Sequence, residues 1–455
     1  MPRAAPRALA HPLPAGMRDL LPEEAGRRRA LARRVLEHFA LHGYQLVTPP
    51  VFELAEVLER GLGTLDPSDV LRFVEPESGE IAALRPDMTP QIARMVATRL
   101  LHEPKPIRLC YEGTIVRRRQ GRARRHRQVP QAGVELYGVA DHDDGGTTLA
   151  GDVEILRLAA SVVRATGLTD FALDLGHAAI ARALLEPLSR WGGPGTPPNP
   201  PSAAAEASDA LEQKDGARIA AILRSEGGRV PAAVARALSA LPDLHGGGEG
   251  DRPGEAVFDA ASGLFEGTAA EAPLRELRAL WEAARRSGDD LARALRVDLG
   301  EVRGFAYYTG AIFHLLAPGP GEPIGAGGRY DDLLGRFDAP MPAVGFALHL
   351  DAVAWARDAA GCSDAAAPSA VVAAGEDSER LVAALRAHGV PAVAHVSGSA
   401  FEYAHAWRYT HLVHHAGDAA RVWISRVGPR GPLPIGEIDA HSPELIARAI
   451  DGKHA

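Results

Sequence analysis

Seven of the eleven residues from Arg117 to Arg127 are arginine: Arg117, Arg118, Arg119, Arg122, Arg124, Arg125 and Arg127. From Lys105 to Pro130 there are nine basic residues and one acid, Glu112, a local charge of +8 in a chain whose net charge is -8. Such density repels itself unless an anion or an acidic surface lies against it. A solvated basic tip is the plainest reading. A phosphate clamp would use the guanidinium fork, which matches two phosphate oxygens at once. RNA contact would use the charge alone. The density favours an anion, RNA or an acidic protein surface over a merely solvated tip.

Three other stretches carry groups that could do chemistry. In "QVPQAGVELYGVA", side chains alternate as in a strand, so Ala132, Val134 and Leu136 share one face and Gln131, Gly133, Glu135 and Tyr137 the other. An amide, an acid and a phenol beside a glycine suit a pocket floor; a solvated sheet face reads equally well. "EVRGFAYYTG" repeats the alternation as a strand, with Arg303, Phe305 and Tyr307 on one face, either lining a pocket or forming an ion pair under a structural tyrosine. In "LRPDMTPQIARMVATRL", Asp87 and Thr89 stand at a helix start, where short polar side chains cap free N–H groups; a ligand amine could also find Asp87. Arg94 and Arg99 read as surface helix residues.

The elements that must position these groups are legible in outline. "PEEAGRRRALARRVLEHFALHG" is a helix, with Pro22 in its first turn, Leu31, Val35 and Phe39 on one face and Gly43 as its stop. "YQLVTPPVFEL" reads as a strand ending at Pro49 and Pro50. "PIRLCYEGTIVRR" and "QVPQAGVELYGVA" form an antiparallel hairpin whose tip is the arginine loop. Short helices and Gly/Pro-rich breaks then dominate, and strands return at "LRVDLGEVRGFAYYTGAIFHLLA", "GAGGRYDDLLGRF" and "MPAVGFALHLD". The tail alternates strand, helix and strand, the grammar of an α/β unit.

The bulk numbers exclude several classes. A chain of 455 residues holds two or three domains by length. Two cysteines, Cys110 and Cys362, rule out a disulfide framework and cysteine-based metal sites, and fit a reducing cytoplasm. No run reaches the length of a membrane span, and the basic, Pro-rich start lacks the apolar stretch of a secretory signal. A cytoplasmic protein without a membrane partner is expected.

Six stretches in this order resemble a class II aminoacyl-tRNA synthetase core of the histidyl-tRNA synthetase lineage. They are "PAGMRDLLPEEA", "LRPDMTPQIAR", "RLCYEGTIVRRR…RARRHRQVPQAGVELYG" as the motif 2 hairpin, "VRGFAYYTG", "GAGGRYDDLLGRF" and "PAVGFALHLD" as motif 3. The resemblance implies an α+β fold, an antiparallel sheet core flanked by helices. With the composition and strand–helix pattern above, the core falls in residues 1–175 and 292–360, a mostly helical insertion in 176–291, and a small α/β domain in 369–455, which the resemblance likens to a diverged anticodon-binding domain. It also implies histidine contacts at Asp87, Met88, Thr89, Arg117, Gln131, Glu135, Arg303, Tyr307 and Tyr308. Asp87 stands where the synthetase has glutamate and Met88 where it has glycine.

The ATP half departs further. Arg117 matches the arginine that meets the activated carboxylate or α-phosphate. Arg119 stands for a glutamate that contacts ATP, Ala306 for the aspartate of "RGLDYY", and Asp351-Ala352 for the final acid and arginine of "GLER". One lost arginine–phosphate contact costs roughly two to three powers of ten in rate. The combination is similar to the regulatory subunits of ATP phosphoribosyltransferase. That resemblance implies no catalysis by this chain, no cofactor and no metal. It implies a short-form catalytic subunit as partner, self-association as a dimer, and histidine as a regulatory ligand of the first step of histidine biosynthesis; nucleic acid is not expected as a partner. Two alternatives remain: a working histidyl-tRNA synthetase, and an RNA-binding paralogue motivated by the basic hairpin.

Overall fold

The computed structural model describes residues 13–62, 70–117, 126–139, 149–189, 203–247, 252–302, 307–362, 370–375, 377–395, 397–415 and 420–450. The chain divides into two compact units, Met1–Cys362 and Ser363–Ala455.

The first unit is built on a mixed sheet, nine-stranded among the described residues. Its strands run in the order Gln45–Leu46, Ile107–Val116, Gln128–Tyr137, Ala343–His349, Gly325–Arg329, Ala311–Leu316, Ala172–His177, Leu295–Asp298 and His245–Gly246. The long middle section, from Ile107–Val116 to Ala172–His177, is antiparallel throughout. Gln45–Leu46 and Leu295–Asp298 join it in parallel. The stretch read as one strand up to Pro49 instead divides between two sheets. Gln45–Leu46 edges the large one, and Phe52–Leu54 joins a three-stranded sheet with Ile81–Leu84 and Arg72–Val74. Pro49 and Pro50, without N–H donors, lie in the break between them.

Alternation on Gln128–Tyr137 sorts the two faces. Ala132, Val134 and Leu136 enter the main apolar cluster, together with Leu31, Val35 and Phe39 of the helix Pro22–Leu41. That helix starts at its proline and ends before Gly43, whose φ of +82° favours glycine. The same cluster continues into the helical stretch that begins at Ala178, through Leu184, Leu238, Phe258 and Trp281. Burying one such side chain contributes roughly 1.5–3 kcal/mol, so these helices are fastened to the sheet by their apolar sides.

The second unit has, among the described residues, a five-stranded sheet in the order Ala392–His395, Val371–Ala374, His411–His415, Arg421–Val427 and Pro432–Asp439. Its first two strands are parallel around the helix Ser378–Ala387, and its last two are antiparallel partners. No helix among the described residues is long and apolar enough to cross a membrane.

Candidate functional site

The other face of the large sheet carries a cavity of about 350 Å³. Its floor includes the small residues Ala326, Gly327, Gly345 and Ala347; Ala326 pairs with Ala347, and Gly345 with Gly328 on one side and Glu135 on the other. A Cβ at Gly345 would fall on the Glu135 carboxylate and the Tyr330 hydroxyl, so glycine there makes the floor deep. Nearby, Tyr307 and Tyr330 meet edge to face, with ring centroids 5.5 Å apart.

Asp87 reaches the cavity from the turn before the helix Thr89–Met95. Its Oδ2 accepts from the Tyr307 hydroxyl at 2.8 Å and its Oδ1 from the Met88 N–H at 2.9 Å. Thr89 donates its hydroxyl to Glu135 Oε1 at 2.7 Å. Asp87 meets a free N–H at the helix start, that of Met88, as the sequence suggested; Thr89 does not cap, its hydroxyl being committed to Glu135. Arg85, one turn earlier, fixes this segment by donating to the carbonyls of Thr114, at 2.9 Å, and Pro49, at 3.1 Å. Arg94 is no free surface residue; it is half-buried and bonds Glu53, which also accepts from Gln91.

Two carboxyls sit in this dry place. Burial pushes the Asp87 carboxyl above its ordinary range, against the pull of the Tyr307 hydrogen bond and Arg117. Burial pushes Glu135 well above its ordinary range; the Thr89 hydrogen bond works against that shift and the Asp87 charge adds to it. Glu135 and Gln131 are buried, and Gln131 Oε1 has no hydrogen-bond partner among the described residues. An unpaired buried acceptor costs about 1–3 kcal/mol, a cost that a donor on a bound molecule would remove.

Of the nine residues singled out for a ligand, six line the cavity: Asp87, Thr89, Arg117, Gln131, Tyr307 and Tyr308. Glu135 lies behind them, joined through Thr89. Met88 is fully buried but elsewhere; its Sδ packs beneath Gly113 of the hairpin, in an apolar cluster with Tyr111 and Ile115. Arg303, with Phe305 and Ala306, lies outside the described residues. The strand reading of this stretch fails at Tyr307 and Tyr308. They precede the strand Ala311–Leu316, both are buried and both line the cavity, so no alternation separates them. The sequence reading missed His314, His349 and Glu322, which also line it. The available signal was a lone histidine in the apolar strand "AIFHLL"; the placement of His349 opposite Gln131 is set by the sheet register, which the sequence does not show.

Arg117 and Arg127 close the base of the basic hairpin: Arg117 N–H donates to the Arg127 carbonyl at 3.0 Å and Arg127 Nε to the Arg117 carbonyl at 2.9 Å. Arg118, Arg119, Arg122, Arg124 and Arg125 lie outside the described residues. The segment around Arg18 straps this base to the last helix of the unit. The Arg18 N–H donates to Gln128 Oε1 at 3.0 Å, and its guanidinium meets Asp351 at 2.7 Å. Ala352, at the position read as a lost arginine, is buried in the main core. For a metal, the described residues offer one group of carboxylates close enough to share an ion, Asp174, Asp298 and Glu301, and Lys214 Nζ already sits 2.6 Å from Asp298.

Known proteins share this fold. The family model described as histidyl-tRNA synthetase matches residues 16–353, and solved structures show the class II fold. The apo histidyl-tRNA synthetase of S. aureus superposes with a TM-score of 0.62 at 18% identity, covering 96% of this chain and 99% of that one. A structure from Bacillus halodurans C, titled ATP phosphoribosyltransferase regulatory subunit/histidyl-tRNA synthetase, gives a TM-score of 0.70 at 25% identity, over 89% and 98% of the two chains. Two curated relatives are named ATP phosphoribosyltransferase regulatory subunit. The one from Anaeromyxobacter sp. (strain Fw109-5) is 40% identical over 339 residues, 74% of this chain and 91% of its own. That from Moorella thermoacetica is 40% identical over 348 residues, 76% of this chain and 82% of its own. The chain belongs to the ATP phosphoribosyltransferase regulatory subunit family, whose members share this synthetase-like fold.

Proposed function

We propose that this chain is a non-catalytic regulatory subunit of an ATP phosphoribosyltransferase complex, that it senses histidine in the cavity, and that its partner is a short-form catalytic subunit. The observation that carries this reading is the uneven preservation of the site. Asp87, Thr89, Gln131, Tyr307 and Tyr308 converge on one cavity, while the position that would hold a phosphate-binding cation is Ala352, buried in the core.

The chemistry suits a zwitterionic amino acid. Asp87 takes the α-ammonium; Gln131 and Glu135, through Thr89, face the imidazole N–H side; Arg117 takes the α-carboxylate. In the unliganded pocket, burial favours the protonated carboxyls. A cationic ligand group offsets that desolvation, so histidine binding is expected to pull the raised carboxyls back down and to release protons over the pH range in which they are still protonated in the free chain. Calorimetry in buffers of different ionisation enthalpy measures this directly. Feedback follows if histidine binds one state of the complex better than the other.

Adenylation is proposed to be lost, with Asp351 committed to Arg18. The test is histidine-dependent ATP–pyrophosphate exchange on the purified chain, followed by reconstitution with a short-form catalytic subunit. No exchange, complex formation and histidine-sensitive activation support the reading; absence of both complex and activation overturns it. A working histidyl-tRNA synthetase is the second reading, favoured by Arg117 on the cavity wall. Robust exchange and charging of histidine transfer RNA would select it.

A dimer is proposed through the three-stranded sheet. Val51, Phe52, Phe73, Val74 and Ile81 are all exposed there, and Phe52 and Phe73 pack edge to face at 5.2 Å. A contiguous apolar patch of this kind marks an association surface. Val74→Glu should yield monomers in sedimentation.

A further inference from the structure

His314 lines the cavity, and its Nδ1 lies 3.5 Å from Glu301 Oε2. Both residues are more than nine-tenths buried. Glu301 ends a short loop that begins at Asp298, and this loop is wound tightly: the Gly300 N–H donates to Asp298 Oδ1 at 2.9 Å. The same connection leads on to Tyr307 and Tyr308 on the cavity wall. Gly176 makes room for Glu301, since a Cβ there would come within 3.1 Å of the Glu301 Cβ.

The loop is held from its other side by Lys214. Its ammonium bonds both Asp298 oxygens at 2.6 Å. Lys214 lies between the helices Ala203–Glu212 and Gly216–Ser225, and its φ of +54° is left-handed, a conformation that non-glycine residues adopt only where surroundings enforce it. Asp215 then caps the second helix, accepting from the Arg218 N–H at 2.9 Å. Lys214 already supplies a cation to this carboxylate group, so the group reads as an ion-paired joint between cavity and helices. The helix Gly216–Ser225 in turn lines, with Leu223 and Arg224, an open groove shared with Ala235 and Leu264. The Asp298–Glu301 loop thus meets His314 on the cavity side and, through the Asp298–Lys214 ion pair, the residue that precedes that helix.

We propose that the Lys214–Asp298–Glu301–His314 joint couples occupancy of the cavity to the helical segment 203–225, a coupling that rests on histidine being the cavity's ligand. The test is amide hydrogen exchange of the full chain with and without L-histidine, after calorimetry has established saturation. The helix Pro443–Ile450 of the second unit serves as internal reference. Wild-type chain should show exchange across Gly216–Ser225 slowed by about fivefold or more on histidine binding, within the range of ordinary coupling energies. Lys214→Met should still bind histidine but show about twofold slowing or less, and Lys214→Arg, which keeps the cation, should restore the effect. Saturating histidine with unchanged exchange in Gly216–Ser225 of the wild type overturns the coupling, as does equal slowing in Lys214→Met. If calorimetry detects no histidine binding at all, the histidine reading and the coupling fall together; if binding is seen without slowing, only the coupling falls.

Discussion

The strand Gln128–Tyr137 has two faces that are equally buried and differently built. Ala132, Val134 and Leu136 pack into an apolar core continuous with the flanking helices. Gln131 and Glu135, on the opposite face, place an amide and a carboxyl in a dry region where their charged or polar forms are penalised. The first face lowers the free energy of the fold. The second places polar groups where burial costs free energy. Burial alone does not separate core from site; the chemistry of the buried groups does.

Substitutions on each face should separate accordingly. Leu136→Ala should have the largest effect on stability, a loss of about 2–5 kcal/mol in chemical denaturation, with histidine affinity unchanged in the folded protein. Gly345→Ala, which drives a methyl group onto Glu135 and Tyr330, should cost about 1–3 kcal/mol in stability and also weaken histidine binding; retained affinity would mean that the floor does not shape the pocket. Tyr307→Phe removes one hydrogen bond to Asp87 and should change stability by about 0.5–1.5 kcal/mol, with affinity weakened several-fold in calorimetry.

The smallest effect is the one whose sign matters most. The Glu135 carboxyl is held above its ordinary value of 4.5 by burial. The folded chain thus keeps a proton that the unfolded chain releases, and this group's contribution to stability falls as pH rises from 4.5 towards the raised folded value. Glu135→Gln should flatten that part of the pH–stability curve. A difference between wild type and Glu135→Gln that rises instead over this window would show that Glu135 is ionised and paired.

Much of this contrast was legible in the sequence. Period-two alternation placed Gln131 and Glu135 on one face and Val134 and Leu136 on the other, because a strand leaves its side chains no third direction. The same rule failed at Tyr307 and Tyr308, which occupy the approach to a strand and both turn inward. The helix start at Asp87 and Thr89 was half legible: Asp87 does meet the Met88 N–H, but its second oxygen and the Thr89 hydroxyl are recruited by partners far along the chain, Tyr307 and Glu135. His314 and His349 escaped notice because their strands are buried on both faces and read as plain apolar runs. The buried ion pair between Arg329 and Asp152, Nε to Oδ1 at 3.1 Å, spans a separation in sequence that no local pattern encodes.

The central claim is that the polar face is a histidine site centred on Asp87. Calorimetric titration of L-histidine into wild-type chain and into Asp87→Asn tests it most directly. Asparagine keeps the shape and removes the charge that would meet the ammonium. The account predicts saturable binding by the wild type and affinity at least about tenfold weaker in the variant, the usual loss for a charge-assisted hydrogen bond. No saturable heat in the wild type, or equal affinity in both proteins, would contradict it.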